Sequence, residues 1–249
     1  MGKAIEPYVK ELNPLIQDSL EICDQHQPIE ELNEEYLQHF DVIIASASQL
    51  SIEESVRISS ISSKYNNYFV LVDTFGYNGC CVIDLGSKDR VYRKEIGKDK
   101  LSDPIKIGEK GYVSLKDIFD RNVKDALGRW DKLYPPKIWL EYRLILQYHG
   151  NGNGNGNESF VEYSKSYLKS KEFNMKHLHE YYGPTEEDVN HGLATLGSVY
   201  KAQVSPVCSV LGGVVGNEVI KILSGKGEPA NNLLLFDGLA GSCREFFVR

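Results

Sequence analysis

The sequence is short of the patterns that most often announce chemistry. It has five cysteines in 249 residues, with no regular spacing and no apolar leader after Met1-Gly2-Lys3. A secreted disulfide scaffold is thereby disfavoured, and reduced intracellular thiols are expected. No apolar run in the sequence approaches the ~18 residues that span a bilayer, so a soluble chain without a membrane partner is expected. Basic residues are outnumbered, 28 against 35 acidic, for a net charge of −7. A sequence-independent nucleic-acid binder needs the opposite sign, so no nucleic-acid partner is expected. No G-x-G-x-x-G follows a strand, and no phosphate loop with its Lys-Ser/Thr pair is present. What remains is an ordinary globular composition, 41% hydrophobic and 25% charged, long enough for one α/β domain with or without a satellite.

The periodicity is that of an α/β protein. Lys3–Leu12 reads as a helix stopped by Asn13-Pro14, Leu15–Ile22 as a strand, and Gln25–Gln38 as polar surface. Asp41–Ser46 and Tyr68–Val72 are short continuous apolar runs, the signature of buried strands. Between them Ser51 with Glu54 opens a helix to Lys64 through a capping box. Strand, helix, strand with short connections implies a parallel crossover unit. Cys80–Leu85 adds a strand after the turn Gly76-Tyr77-Asn78-Gly79, and Val91–Gly111 is charged and irregular. From Ser114 the period becomes helical, with Leu115, Ile118, Phe119, Val123 and Leu127 on one stripe. Helices follow at Ile138–Tyr148, Phe160–Ser170 and Thr185–Leu196, and the Gly-Asn alternation at Gly150–Asn157 reads as a linker. Ser205 as N-cap and Pro206 as first residue open a last helix, whose apolar stripe runs from Val207 to Ile222 and ends at Gly225. Strands at Leu233–Phe236 and Glu245–Val248 close the chain. The resulting division is 1–113, an α/β domain; 114–196, a mostly helical insert with its linker at 150–157; and 197–249, the return of the first domain.

Candidate reactive groups reduce to bland readings. His177 and His179, two apart, do not share a helix face and lack further ligands at metal spacing. Cys80 and Cys81 lie in an apolar strand, where burial favours the thiol. Cys208 sits in a first helical turn among apolar neighbours, and Cys243 has no adjacent base. Gly212, Gly213 and Gly216 fall inside a helix, where close packing against a neighbour is expected rather than a phosphate loop. No catalytic, cofactor-binding or metal-binding residue is assigned.

The stretch Ser205-Pro206-Val207-Cys208-Ser209-Val210-Leu211-Gly212-Gly213, followed by Asn217-Glu218-Val219-Ile220-Lys221, Asn231-Asn232 and Phe236-Asp237-Gly238, resembles the ubiquitin-like-activating enzyme superfamily, with its ThiF/MoeB-like adenylation domains. Asp73-Thr74-Phe75-Gly76-Tyr77-Asn78-Gly79, with Leu12-Asn13-Pro14 upstream, is similar to the small (Aos-type) subunits of SUMO-activating enzymes. The resemblance implies a Rossmann-like, doubly wound adenylation fold with a helical insert. It also implies a heterodimer in the nucleus, whose large catalytic subunit holds ATP and Mg²⁺, adenylates SUMO and carries the thioester. This chain would be the non-catalytic subunit. Active members carry an aspartate for the metal at the end of the strand that corresponds to Val42–Ala45, where this sequence has Ala45, Ser46, Ala47, Ser48 and Gln49. No cysteine lies between Cys81 and Cys208, where active partners insert their thioester domain.

The family's first strand, Gly-rich turn and second strand have no counterpart before Asn13. The resemblance therefore implies a fold lacking its first strands, with a gap between two neighbours of the missing central strand and poor folding without the partner. The alternatives are the regulatory subunit of a Nedd-type activating enzyme and a truncated, non-functional or regulatory fragment. A sulfur-carrier adenylyltransferase and a nicotinamide-dependent oxidoreductase both need the absent Gly-rich loop.

Overall fold

A computed structural model describes residues 2–16, 19–21, 29–97, 100–109, 111–121, 136–150, 159–170 and 175–248, which fall in two compact units, Met1–Tyr36 and Leu37–Arg249. In the first, α1 (Gly2–Leu12) carries a Lys10–Glu6 pair at 2.6 Å one turn apart. It ends where Asn13-Pro14 requires. The strand expected at Leu15–Ile22 is not formed over its described part. Pro14–Ile16 make a turn of 3-10 helix instead, because proline fixes a helical φ and the Asn13 carboxamide accepts the Leu15 N–H at 3.2 Å. Residues 17–18 and 22 lie outside the described set. A short helix α2 (Glu34–Leu37) follows.

The second unit is built on a five-stranded sheet. β1 (Val42–Ser46) runs parallel to β2 (Tyr68–Phe75), with α3 (Ile52–Lys64) as the crossover. The expected capping box is present: Ser51 Oγ accepts the Glu54 N–H at 3.1 Å, and the Glu54 carboxylate accepts the Ser51 N–H at 2.7 Å. Beyond β2 the sheet turns antiparallel. Gly76 at φ 55° makes the tight hairpin into β3 (Asn78–Asp84). The segment read as irregular contains a two-stranded ribbon, β4 (Val91–Tyr92) and β5 (Ile105–Lys106). Helices α4 (Leu115–Asp120), α5 (Lys137–Gly150), α6 (Phe160–Ser170), α7 (Met175–Tyr182), α8 (Glu186–Val199) and α9 (Ser205–Ser224) come next. The chain then returns to the sheet through β6 (Leu233–Asp237) and β7 (Ser242–Phe246), giving the order β1-β2-β3-β6-β7. The final strand starts three residues and ends two residues earlier than expected. Val123 and Leu127 of the helical stripe, and the Gly-Asn tract beyond Gly150, fall outside the described residues.

Helices cover both faces, so the architecture is α/β and Rossmann-like, on a mixed rather than wholly parallel sheet. One face packs Val70, Cys81, Ile83, Leu234 and Phe236 against Val207, Leu211 and Val215 of α9. Strand alternation points Phe69, Leu71, Cys80 and Leu235 the other way, toward α3 and α5, where Trp139 and Tyr142 are fully buried. The gap expected within the sheet is absent. The five described strands are paired without interruption, and the free backbone lies at the outer edges of β1 and β7. Arg143, 3% exposed, reaches from α5 to cap the end of α4, donating to the carbonyls of Ile118, Phe119 and Arg121 at 2.9, 2.6 and 3.2 Å.

A carboxylate with no cation beside it among the described residues ties these layers together. Asp84, 1% exposed at the end of β3, accepts Ser59 Oγ of α3 at 2.6 Å and the Leu115 N–H of α4 at 3.0 Å on one oxygen. The other oxygen accepts the Gly86 N–H and Tyr112 Oη, both at 2.9 Å. Burial and Asp84 push the Tyr112 phenol well above its ordinary range, which keeps it a donor. Hydrogen bonds to a charged acceptor are worth about 1.5–3 kcal/mol each, and removing their acceptor strands buried donors. Asp84→Ala is therefore expected to destabilise the unit by about 3–5 kcal/mol, and Ser59→Ala by only about 1–2 kcal/mol. Urea unfolding of both variants checks this; near-equal losses would contradict the hub.

Candidate functional site

The described residues offer one cleft at the carboxyl ends of the parallel pair, the usual place for ligands in open α/β sheets. It is a cavity of about 610 Å³ whose floor includes Asp73 and Thr74 from the end of β2. Ala47, Ser48, Leu50 and Ser51 line one side, after β1 and at the mouth of α3, and Ile145, Leu146 and His149 of α5 line another. Tyr200, Lys201 and Gln203, between α8 and α9, complete it. Ser46 and Ser48 hydroxyls pair with each other at 2.9 Å at the end of β1, where Ala45 to Gln49 supply no carboxylate.

Asp73 is the acid that sequence reasoning passed over. It is 8% exposed, and one carboxylate oxygen accepts the Thr74 N–H at 2.9 Å. Burial raises its pKa from 3.8 to about 6, only partly offset by that hydrogen bond. Burial and Lys201 together push the His149 imidazole below its ordinary value.

A second cavity, of about 620 Å³, opens beside the β2–β3 turn. In it the buried Glu141 carboxylate is compensated. Tyr182 Oη donates to it at 3.0 Å, Asn78 Nδ2 at 3.4 Å, and Lys137 Nζ stands 3.7 Å away. Burial still raises its pKa, against the pull of Lys137, Tyr182 and Asn78.

The other sequence candidates stay bland. Burial holds the Cys80 and Cys81 thiols well above their ordinary values, and raises Cys243. Cys208 Sγ lies 3.5 Å from Thr74 Oγ1. No cluster of three or more metal-ligating side chains occurs among the described residues; the His177 side chain lies outside them.

Helix α9 departs from expectation at both its start and its surface. Its N-cap is Val204, with no side-chain cap bond, and Ser205 is already helical. Gly225 closes it at φ 63°, as expected. The expected apolar stripe packs on the core except at Val210, with Val214 and Val219 partly buried against it, and further apolar residues lie outside the stripe. Val207, Leu211, Val215 and Ile222 are buried, while Val210, Ile220 and Leu223 are 48%, 66% and 58% exposed. A Cβ placed on Gly212, Gly213 or Gly216 would meet nothing within 4 Å, so the close neighbour expected there is not supplied by the described residues of this chain. By length and composition α9 could also cross a membrane, contrary to the reading from apolar runs. Here, however, its inner face packs on the sheet and carries the buried Glu218.

The motif residues around α9 have structural work. Glu218 accepts the Ala230 N–H and Lys221 Nζ, each at 2.7 Å. Asn232 exchanges two bonds with the Val248 backbone at 2.9 and 3.0 Å, and Asp237 accepts the Leu239 and Ala240 N–H groups to turn β6 into β7. This is a signature with a physical basis, and a family model, that of the ThiF family, matches residues 3–249. The chain belongs to the ThiF family. Among similar ThiF proteins are "SUMO-activating enzyme subunit 1" of Dictyostelium discoideum, 23% identical over 94% of this chain and 66% of that protein, and its Danio rerio counterpart, 24% identical over 93% and 68%. "SUMO-activating enzyme subunit 1B-1" of Arabidopsis thaliana is 26% identical over 94% and 67%. The chain thus spans about two thirds of the length of these relatives.

The raised Asp73 carboxyl has a consequence for stability. Its folded value of about 6 exceeds the ordinary 3.8, so the folded state binds this proton more tightly than the unfolded chain. Its contribution is fully present below about pH 4 and is lost as pH rises through about 6. Asp73→Asn keeps an acceptor for Thr74 but cannot ionise. The variant is expected to match the parent near pH 4 and to exceed it by about 1–3 kcal/mol near pH 7.5. Urea titrations at both pH values check this, and equal stability at both would contradict it.

Proposed function

We propose that this ThiF-family chain is the non-catalytic subunit of a heterodimeric SUMO-activating enzyme, supporting ATP-dependent adenylation and thioester formation by a large subunit. The similarity to proteins named SUMO-activating enzyme subunit 1 supports the substrate class. The observation that carries the subunit role is the outer face of α9. Of the 20 residues of this apolar helix only Val207, Leu211, Val215, Glu218 and Ile222 are buried, and its uncovered side presents Val210, Ile220 and Leu223 around three open glycines. Apolar area of that kind, with small residues that let a backbone come close, suits a protein partner. The large subunit is the occupant, and SUMO is reached through it. Nucleic acid and membrane are not partners in this reading, and the nucleus is the expected location by family resemblance.

ATP and Mg²⁺ belong to the partner. The described residues here do not fit them: the end of β1 has no carboxylate for a metal, and a single acid, Asp73, lines the cleft, too few ligands to hold a metal ion with its triphosphate. Neither catalytic, cofactor nor metal residues are assigned to this chain. Cys80 and Cys81 are not thioester nucleophiles in this reading, since burial holds their thiols protonated.

Calorimetry of the chain alone is expected to give no saturable binding of ATP with Mg²⁺; saturable binding would overturn the non-catalytic part. Ile220→Asp with Leu223→Asp changes two exposed side chains and should leave the isolated fold intact. Buried in an interface, those carboxylates cost at least about 2 kcal/mol. Affinity for the large SUMO-activating subunit should then fall by about thirtyfold or more, with SUMO-dependent pyrophosphate exchange falling alongside. Normal assembly by the folded double variant would refute the interface.

A further inference from the structure

The cleft at the ends of β1 and β2 holds a buried acid without a counter-cation. Among the described residues no cation pairs with Asp73: one oxygen takes the Thr74 N–H, and the other groups whose fields couple to it are the Cys80 thiol of β3 and the Tyr142 phenol of α5, both kept neutral by burial. Tyr142 Oη itself is buried without a hydrogen-bond partner. The contrast is Glu141, equally deep, which has Lys137, Tyr182 and Asn78 around it. Lys201 lines the same cleft, but its charge acts on His149 of α5 and its ammonium lies 5.5 Å from the Tyr200 ring. The remaining walls mix polar groups, Ser48, Ser51, Thr74 and Gln203, with an apolar and aromatic side. Leu50, Ile145 and Leu146 line it, and the His149 and Tyr200 rings meet edge to face at 5.1 Å. At about 610 Å³ the cleft is of the size that holds small organic ligands, typically about 300–1,000 Å³.

We propose that this cleft binds a small organic cation, a primary ammonium on an aromatic or aliphatic body, with Asp73 as its anchor. The ammonium supplies the charge and the donors that the protein withholds from Asp73, and the body lies against the apolar wall and the His149–Tyr200 pair. Binding requires the carboxylate, so a bound cation draws Asp73 toward ionisation and releases its proton. This site is independent of the subunit role. It would persist if the α9 interface were disproved, and its failure would leave that interface untouched.

The test uses benzylammonium as probe, with benzyl alcohol and benzoate as neutral and anionic controls, in calorimetric or NMR titrations of the full chain. Near pH 7.5 benzylammonium is expected to bind saturably, and about tenfold or more tighter than either control. With Asp73 titrating at about 6, the affinity should fall about tenfold near pH 5, where roughly a tenth of the carboxyl is ionised. Asp73→Asn should lose about tenfold or more for benzylammonium, abolish the pH dependence and leave benzyl alcohol unchanged. The pH series on the unaltered chain stands even if the variant folds poorly. Absence of saturable binding, a preference for benzoate, or benzylammonium binding indifferent to pH would each overturn the proposal.

Discussion

The packing of α3 and α4 against the sheet depends on one buried carboxylate. Asp84 sits at the end of β3 with four donors and, among the described residues, no cation, and those donors come from the crossover helix, the turn after β3, the approach to α4 and the first residue of α4. A buried carboxylate is tolerated only when its hydrogen bonds are complete. The requirement works in both directions: the donors must be in place for the charge to be buried, and the charge fixes where the donors lie. The position of α3 above β1 and β2 follows, and with it the mouth of the cleft at Leu50 and Ser51. Arg143 makes a comparable tie with opposite sign, fastening α5 to the end of α4 through three carbonyls.

The residues by which the chain resembles its family divide into architecture and surface. Glu218, Asn232 and Asp237 are consumed by backbone groups of the C-terminal return, so they hold α9 against β6 and β7. The glycines of α9 make no contact of that kind. They and the apolar side chains beside them face outward, and they make sense as the other half of an interface. The cleft shows a third behaviour. It keeps the location of a ligand site in an α/β sheet, and among the described residues its single acid, Asp73, has the Thr74 N–H but no paired cation.

Local signals in the sequence were read well where the physics is local. The capping box at Ser51 and Glu54, the continuous strands at β1 and β2, the Gly76 turn and the Gly225 helix end all depend on neighbours a few residues away. The start of α9 was misplaced by one residue because proline is acceptable at either of the first two helical positions, which leaves Ser205 ambiguous as a cap. The Leu15 strand failed because an apolar run says nothing about burial, and Leu15 is 94% exposed. Asp73 and Asp84 carried no signal at all. Each is one acid in or at the end of an apolar strand, and only the packing of α3, α4 and α5 shows that one has four donors and the other is left nearly bare. The antiparallel pairing of β6 with β3 is likewise set by where α9 returns the chain, which no window of sequence reports.

The central claim is that this chain contributes a surface, α9, and leaves the chemistry to its partner. Hydrogen–deuterium exchange of the α9 amides, measured on the chain alone and in the presence of a large SUMO-activating subunit, tests it most directly. Assembly should slow exchange across Val210 to Leu223 by about tenfold or more, as expected when contacts worth at least 1.4 kcal/mol oppose local opening. Unchanged exchange in α9 within a mixture that forms SUMO adenylate would contradict it.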